Sequence, residues 1–455
     1  MLKQMNKWFA AMVLIAGISV PAMGQVINER SKLLPIDGVG SGAFGRAVIA
    51  VDGSTLVVGA YKDAQNGLDA GAVYVFDLLN DKPIMKLLPS DGQSSDWFGI
   101  TVAIDNGLIV VGAPLNDNLA LDAGAVYVFD AKTGVQLRKI VTPDSFPRED
   151  NFGISVAIEG DILVVGQSHN GSGTVFLFDA KTGQTVTELS PGGSSSGGGC
   201  AGCIVAIRGD TVAVSQKTSG FSGYLGAGEV VLYHISTGTE YLRLFPKDIS
   251  SNDNFGSSIA LGEGVVAVGS FRDDDESFDS GSAYLFSSIT GEQLLKVIPG
   301  DGISQGRFGS SVGVLGDGLV VGAVWDDDNG EFSGSAYVFD QRTEEKWKLL
   351  PSDGEELDLF GSSIVISGDI VIVGAPGDDD LDSASGAVYI YDLSCAADFT
   401  GDGVLDSSDV HALLDLFVAQ DPTADFTADG IFNLQDIFAY LALFNAGCPL
   451  SGSGT

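Results

Sequence analysis

Apolar and polar positions alternate in short bursts over most of the chain, and the interruptions are turn formers. A burst such as Ser155-Val156-Ala157-Ile158 is followed by a Gly/Asp turn, Gly160-Asp161, and then by a second apolar run. That run ends in Gly-Ala-Pro or a variant: Gly59-Ala60-Tyr61, Gly112-Ala113-Pro114, Gly322-Ala323-Val324, Gly374-Ala375-Pro376. A loop of variable sequence leads to a third run, Ala72-Val73-Tyr74-Val75-Phe76 in the first copy. A turn such as Thr133-Gly134 leads to a fourth run that ends in proline, as in Lys86-Leu87-Leu88-Pro89. Short runs rich in β-branched and aromatic residues, bounded by turn residues, predict four strands.

This unit recurs. Phe-Gly opens it at Phe44, Phe98, Phe152, Phe255, Phe308 and Phe360, with a degenerate copy at Ala201-Gly202, at spacings of 54, 54, 49, 54, 53 and 52 residues. A four-stranded unit of roughly 50 residues cannot bury both faces alone, but radial packing of such units can. The fold predicted for residues 25–394 is therefore mainly β, a seven-bladed β-propeller. The Lys-Leu-Leu-Pro type of run appears first at Lys32-Leu33-Leu34-Pro35, ahead of any Phe-Gly, and the last repeat stops at its third run, Tyr389-Ile390-Tyr391. The N-terminal run is thus expected to serve as the outer strand of the last blade, leaving no unfinished edge.

Over residues 31–393 the paired Phe-Gly and Gly-Ala-Pro motifs resemble the FG-GAP repeats that build the head of integrin α chains. The resemblance implies a seven-bladed propeller. Integrin-type repeats hold calcium between the two halves of the motif, whereas here that link is a tight turn, as at Asp52-Gly53 or Gly368-Asp369. The family's cation site has no counterpart there, and integrin-like ligand binding does not carry over.

Residues 1–24 read as a signal peptide: Lys3 and Lys7, an apolar stretch from Trp8 to Val20, then Ala22 and Gly24 before a cleavage point at Gln25. The stretch is short for a membrane span, an uncleaved anchor being the alternative. Export to the medium or the cell surface is the expectation, with no membrane span once the signal is cleaved. The chain carries 60 acidic against 23 basic residues, a net charge of −37. Such a charge repels nucleic acid and anionic membranes and attracts cations. The acids gather in loops predicted to share one face: Asp273-Asp274-Asp275, Asp326-Asp327-Asp328, Asp378-Asp379-Asp380, and between blades Asp91, Asp96, Glu149, Asp150, Asp253, Asp353 and Asp358. Crowded carboxylates suit calcium. They equally suit a hydrated surface with Asp as turn former. In the fourth repeat, Cys200 and Cys203 are expected to form a local disulfide in an exported chain.

At Cys395 the composition changes. Asp398, Thr400, Asp402, Val404 (through its carbonyl), Asp406 and Asp409 stand at positions 1, 3, 5, 7, 9 and 12 of a calcium loop, with Gly403 at the sharp turn. The pattern repeats 27 residues on as Asp425, Thr427, Asp429, Ile431, Asn433 and Asp436. Each loop is followed by an i, i+3, i+4, i+7 apolar stripe: Val410, Leu413, Leu414 and Phe417, then Ile437, Tyr440, Leu441 and Phe444. Two such loops in tandem predict two bound Ca2+ ions in residues 395–449, with 450–455 as a tail. Aspartate at position 12, one helix per loop and the duplication resemble dockerins. The resemblance implies a cohesin partner, and it implies a stapling disulfide between Cys395 and Cys448 in the variant that ends in Gly-Cys. Positions 10 and 11, which choose the cohesin in that family, are Ser407-Ser408 and Leu434-Gln435. The first pair fits the familiar hydroxyl pattern and the second does not.

No nucleophile–base pattern surrounds His169, His234 or His411. The reading that results is a secreted or cell-surface calcium-binding adhesion or scaffold protein. Its propeller face would meet a polysaccharide or protein ligand, and its C-terminal module would anchor or assemble. The alternative is a carbohydrate-active hydrolase or lyase displayed through a dockerin.

Overall fold

The computed structural model describes residues 27, 29–37, 42–46, 48–143, 150–169, 172–190, 201–216, 224–300, 304–316, 318–339, 346–393, 397, 399–400, 407–426 and 430–446. The signal-peptide segment 1–24, the tail 450–455, and Cys200, Cys395 and Cys448 lie outside the described residues; no free cysteine stands among the described ones.

Seven antiparallel four-stranded sheets form the molecule's bulk. The first is Ile49–Asp52, Thr55–Ala60, Ala72–Asp77 and Lys82–Leu87, paired in that order. The link between its first two strands is a two-residue turn in which Asp52 faces Thr55 and Gly53 takes φ +56°. The seven first strands touch their neighbours in chain order, and Ser363–Ser367 of the seventh blade touches Ile49–Asp52 of the first. They therefore ring the axis, and the fold is a seven-bladed propeller. In the seventh blade, Ser31–Leu33 pairs antiparallel with Ala387–Asp392, with Ser31 opposite Ile390 and Leu33 opposite Val388.

The core lies in the seams between blades. One cluster joins Leu56, Val58 and Phe76 of the first blade to Ile372, Val388 and Ile390 of the seventh. Second and third strands are flanked by blades on both sides, so their side chains are buried along nearly the whole length, and both read as near-continuous apolar runs. Fourth strands lie at the rim, and in Lys82–Leu87 burial rises along the strand from exposed Lys82 to buried Leu87.

The recurring motif has a steric cause. Each Phe of Phe-Gly is fully buried and meets the rings of its own third strand edge-on, Phe44 with Tyr74 at 5.4 Å and Phe308 with Tyr337 at 5.4 Å. The carbonyl of the Gly that follows presses on the glycine of the preceding blade's Gly-Ala. A Cβ on Gly322 would stand 2.1 Å from the Gly361 oxygen, and one on Gly374 would stand 2.0 Å from the Gly45 oxygen. Ser311 and Ser363 donate their hydroxyls to those same oxygens at 2.7 Å. The contact between blades seven and one is thus the same as that between blades six and seven.

Beyond the propeller, α1 (Ser407–Ala419) and α2 (Leu434–Ala446) flank a short 3-10 turn at Pro422–Ala424. Leu413, Ala424 and Tyr440 are buried with Ala397, and Phe399, Val410, Phe417, Phe426, Leu441 and Phe444 pack against them. The apolar stripes of both helices meet in this small core.

Candidate functional site: the loop face

Among the described residues, the loop after Gly-Ala and the loop to the next blade come together on one face. Their backbones interlock: Trp97 N–H donates to the Asp69 carbonyl, Phe98 N–H to Ala70, Arg307 N–H to Asp279 and Phe308 N–H to Ser280. The residue ahead of each Phe is held in the left-handed region, with Ala43, Trp97, Asn151, Asn254, Arg307 and Leu359 all between φ 48° and 57°. A side chain there costs energy, and the neighbouring blade's hydrogen bonds hold it.

Beneath the loops lies a Lys–Tyr–carboxylate cluster, built five times. In blade one, the Tyr74 hydroxyl sits 2.7 Å from Asp37 and 2.9 Å from Asp63, and Lys86 Nζ reaches Asp63 at 2.7 Å. In blade two, Tyr127 donates to Asp91 at 2.8 Å, and Lys139 donates to Asp91 and to the Asn116 amide oxygen. Lys296 joins Asp248, Asp273 and Asp275 around Tyr284. Lys348 joins Asp326 and Asp328 around Tyr337. Lys32 joins Asp353, Asp378 and Asp380 around Tyr389. Each ammonium lies 4.9–5.2 Å from the ring centroid of its tyrosine. The clusters form a relay. Asp37, five residues after Lys32, is gripped by Lys86, and Asp91, five after Lys86, is gripped by Lys139. Asp353, five after Lys348, is gripped by Lys32.

Burial alone would raise Asp37, Asp91, Asp248 and Asp353, but the lysine and tyrosine hydrogen bonds outweigh it and hold all four below the ordinary carboxylate value. Burial likewise opposes the charge on Lys32 and Lys296, yet the surrounding carboxylates raise both above a free lysine. Burial first, and the adjacent carboxylates second, push the tyrosines up, so they stay neutral donors.

This changes the picture of the acidic loops. The first carboxylate of each triplet, Asp273, Asp326 and Asp378, points inward and is buried, as is Asp63. Asp326, Asp327 and Asp328 are the one set of three or more carboxylates among the described residues that each place an oxygen within 4.8 Å of the others. Lys348 stands 2.9 Å from Asp326 and 2.6 Å from Asp328, so an ammonium already supplies the positive charge there. A second set, Asp96, Asp253 and Asp358, precedes Phe-Gly and is also buried. Asp253 accepts from Ser250 N–H and Asp358 from Glu355 N–H. Burial, reinforced by the neighbouring triplet carboxylates, lifts each of these two to about 6.

The sequence motifs concealed the clusters because each draws on the fourth strand, the third strand and two loops. Their signal was the co-recurrence of Lys in Lys-Leu-Leu-Pro, Tyr in the third run and Asp two residues past the proline. Blades three and four break it, with Phe176 and Val231 in place of the tyrosine and Glu188 and Arg243 in place of the lysine. Arg243 pairs instead with Glu229 and Glu240.

In the C-terminal module, Thr400 donates both its N–H (3.0 Å) and its hydroxyl (2.9 Å) to Asp409, joining positions 3 and 12 of the first loop. In the second loop, Gly430 N–H donates to Asp425, Asn433 N–H donates to Asp436, and the Asn433 amide donates to the Ile431 carbonyl. Asp409 and Asp436 have no exposed surface. Asp398, Asp402, Val404, Asp406, Thr427 and Asp429 lie outside the described residues.

Of the histidines, His234 stacks on Tyr241 and pairs with Asp210, but Ser236 donates to Asp210 and not to the imidazole, so no nucleophile–base relay is built there. His411 reaches the Ser407 carbonyl one turn back in α1.

The FG-GAP repeat family profile matches residues 27–76, 83–129, 135–178, 239–286, 292–339 and 343–391. The chain belongs to the FG-GAP repeat family. The matches pass over the first three strands of the fourth blade, which still folds as a four-stranded sheet, Ala201–Arg208 to Thr239–Leu244. There Ser215 replaces the glycine of Gly-Ala, and its hydroxyl takes up the Ile204 N–H. No curated protein matches the chain. An FG-GAP propeller suggests a protein-binding or adhesion platform, and such repeats are typical of extracellular proteins. No helix among the described residues is long and apolar enough to cross a membrane.

Proposed function

We propose that this is an extracellular or cell-surface adhesion or scaffold protein that recognises its ligand on the loop face and is anchored or assembled through its C-terminal module. The observation that carries the reading is the ring of residues ahead of Phe-Gly. Its backbone is nearly constant, while its side chains range over Ala43, Trp97, Asn151, Asn254, Arg307 and Leu359. A rigid frame presenting unlike side chains is what a recognition surface needs. Binding to protein and polysaccharide arrays tests it: Trp97→Ala and Arg307→Ala should weaken binding, while Lys82→Ala at the rim should not. Equal loss in all three would overturn the loop-face assignment.

The C-terminal residues fit calcium. Both loops offer oxygen donors only, and the carboxylates at position 12 of each, Asp409 and Asp436, are fully buried at the loop's end. On this reading Asp398, Thr400, Asp402, Val404, Asp406 and Asp409 would hold one Ca2+, and Asp425, Thr427, Asp429, Ile431, Asn433 and Asp436 a second. The module would then dock in the manner of a dockerin, to a cohesin-like protein or another surface component. Export through residues 1–24 and disulfides Cys200–Cys203 and Cys395–Cys448 complete the proposal.

A further inference from the structure

Blade two resolves a contact that blades five and seven leave open. The fourth residue after the glycine of Gly-Ala is Asn116 in blade two, Asp273 in blade five and Asp378 in blade seven. Their backbones are framed alike. Each donates its N–H to the residue three back (Ala113, Ser270, Ala375), and each carbonyl accepts from a later glycine (Gly124, Gly281, Gly386). Their side chains lie alike too. Oδ1 accepts from the N–H two residues on, that of Asn118, Asp275 or Asp380. The other terminal atom turns to the third-strand tyrosine. Asn116 Nδ2 is 3.4 Å from the Tyr127 hydroxyl, Asp273 Oδ2 is 2.6 Å from that of Tyr284, and Asp378 Oδ2 is 2.8 Å from that of Tyr389. The buried acid two residues before each Phe, Asp96, Asp253 or Asp358, is also held alike. Its Oδ2 accepts from Gln93, Ser250 or Glu355 N–H at 2.7–2.9 Å.

In blade two the facing atoms are a donor and an acceptor: Asn116 Nδ2 donates to Asp96 Oδ2 at 2.9 Å. In blades five and seven a carboxylate oxygen takes the place of that amide nitrogen, so two acceptors face each other. Asp253, Asp273, Asp358 and Asp378 are all 3–4% exposed. Blades one and six have Gly42 and Gly306 at the position of the facing acid. Lysine does not fill the gap. Lys296 bonds Asp248, Asp273 and Asp275, and Lys32 bonds Asp353, Asp378 and Asp380, so neither pairs with the acid ahead of Phe-Gly. The other charges facing Asp253 are Asp274 and Asp275, and Asp379 faces Asp358. Arg272 gives Asp253 its backbone N–H, as Gly377 does Asp358. Two buried carboxylates at one site do not both stay ionised at little cost, and a proton held by the pair relieves them.

We propose that Asp253 with Asp273, and Asp358 with Asp378, each take one proton from solvent and share it as a carboxyl–carboxylate hydrogen bond, forming an acid-operated clasp between the two loops of the blade. Each pair passes from two negative charges to one, and the new O–H does what the Asn116 amide does permanently in blade two. Asp253 and Asp358, lifted to about 6, place the closing in mildly acidic surroundings. The clasp belongs to the loop frame and holds whatever ligand that face takes.

The test is carbon NMR of the full chain with labelled aspartate carboxyls, titrated from about pH 8 to about pH 4. Asp253 and Asp358 are expected to titrate near 6. Hydrogen exchange at Arg272 and Gly377 N–H should slow on acidification by more than the intrinsic rate does. Asp273→Asn and Asp378→Asn copy blade two and should lower the midpoints of Asp253 and Asp358 by about one pH unit or more. Asn116→Asp installs a third clasp and should raise the midpoint of Asp96 by a similar amount; it decides the matter if the asparagine variants do not fold. Midpoints that these substitutions leave in place would show that burial alone lifts the acids, and would overturn the shared proton. Wild-type midpoints in the ordinary carboxylate range would overturn it as well.

Discussion

At the scale of single residues, the propeller stores its acidity in an unusual place. Lys296 is mostly covered, and around it Asp248, Asp273 and Asp275 share one ammonium and one phenol. Removing the cation would leave the buried Asp273 carboxylate uncompensated, which is costlier than losing an exposed ion pair. Lys296→Ala is expected to lower stability by about 2–4 kcal/mol, read by chemical denaturation, while Lys82→Ala stays within about 0.5 kcal/mol. The two carboxylates lifted to about 6, Asp253 and Asp358, set a pH response. Their folded values lie above the unfolded one, so the folded state binds more protons, and stability rises as pH falls from 7 through 6. Asp37, Asp91, Asp248 and Asp353 are held low and act oppositely, so their contribution is lost only as pH falls below the ordinary carboxylate range. Thermal melting should therefore be highest near pH 5. Asp253→Asn with Asp358→Asn should flatten the slope between pH 5 and 7, and an unchanged slope would refute the assignment.

At the scale of elements, the seam is the unit that must not fail. Gly322→Ala puts a methyl group 2.1 Å from the Gly361 carbonyl oxygen, which is backbone and cannot swing away, and 2.4 Å from the Ser311 hydroxyl oxygen that is hydrogen-bonded to it. A loss of more than about 4 kcal/mol, or failure to fold, is expected. Blade four shows the tolerated exception, and Ser215→Gly there should cost only about 1 kcal/mol, the worth of the hydrogen bond to Ile204 N–H. The seventh blade depends on Ser31–Leu33 both for a strand and, through Lys32, for the ammonium among Asp353, Asp378 and Asp380. Deleting residues 25–36 should therefore lower the melting temperature of the whole propeller, and unchanged melting would show that the strand is dispensable.

At the scale of the molecule, the propeller was legible because its cause is local and repeated. Phe-Gly and Gly-Ala recur since one glycine's oxygen seats on another glycine in seam after seam, as Gly153 does on Gly112, Gly309 on Gly269, Gly361 on Gly322 and Gly45 on Gly374. The loop clusters were not legible from the same motifs. Lys32 meets acids more than 300 positions away, and Asp326 reads in sequence as one of three equal surface acids although Tyr337 and Lys348 draw it inward. In the C-terminal module, the spacing of the loops was plain, whereas the burial of Asp409 and Asp436 was not. The two parts should respond differently to calcium. Calorimetry on the full chain is expected to show a C-terminal transition that calcium moves upward and a propeller transition that it leaves in place. Asp398→Ala with Asp425→Ala should erase the first effect alone. A calcium-dependent shift of the propeller itself would show that the lysines do not suffice for its acids.

The pairing of Ser31–Leu33 with Val388–Ile390 has a mechanical side. The two strands are antiparallel, and Ser31, where the N-terminal segment enters, lies opposite Ile390, close to where the chain leaves for α1. A pull between the two ends of the chain therefore loads these bonds one after another, as a zipper opens, once the bridge of Ile27 to Leu349 and the Arg30 N–H to Ile390 bond ahead of them have given way. A pull between the C-terminal module and a ligand held on the loop face enters through Ala387–Asp392, an inner strand bonded on both sides, and meets a sheet loaded along its length.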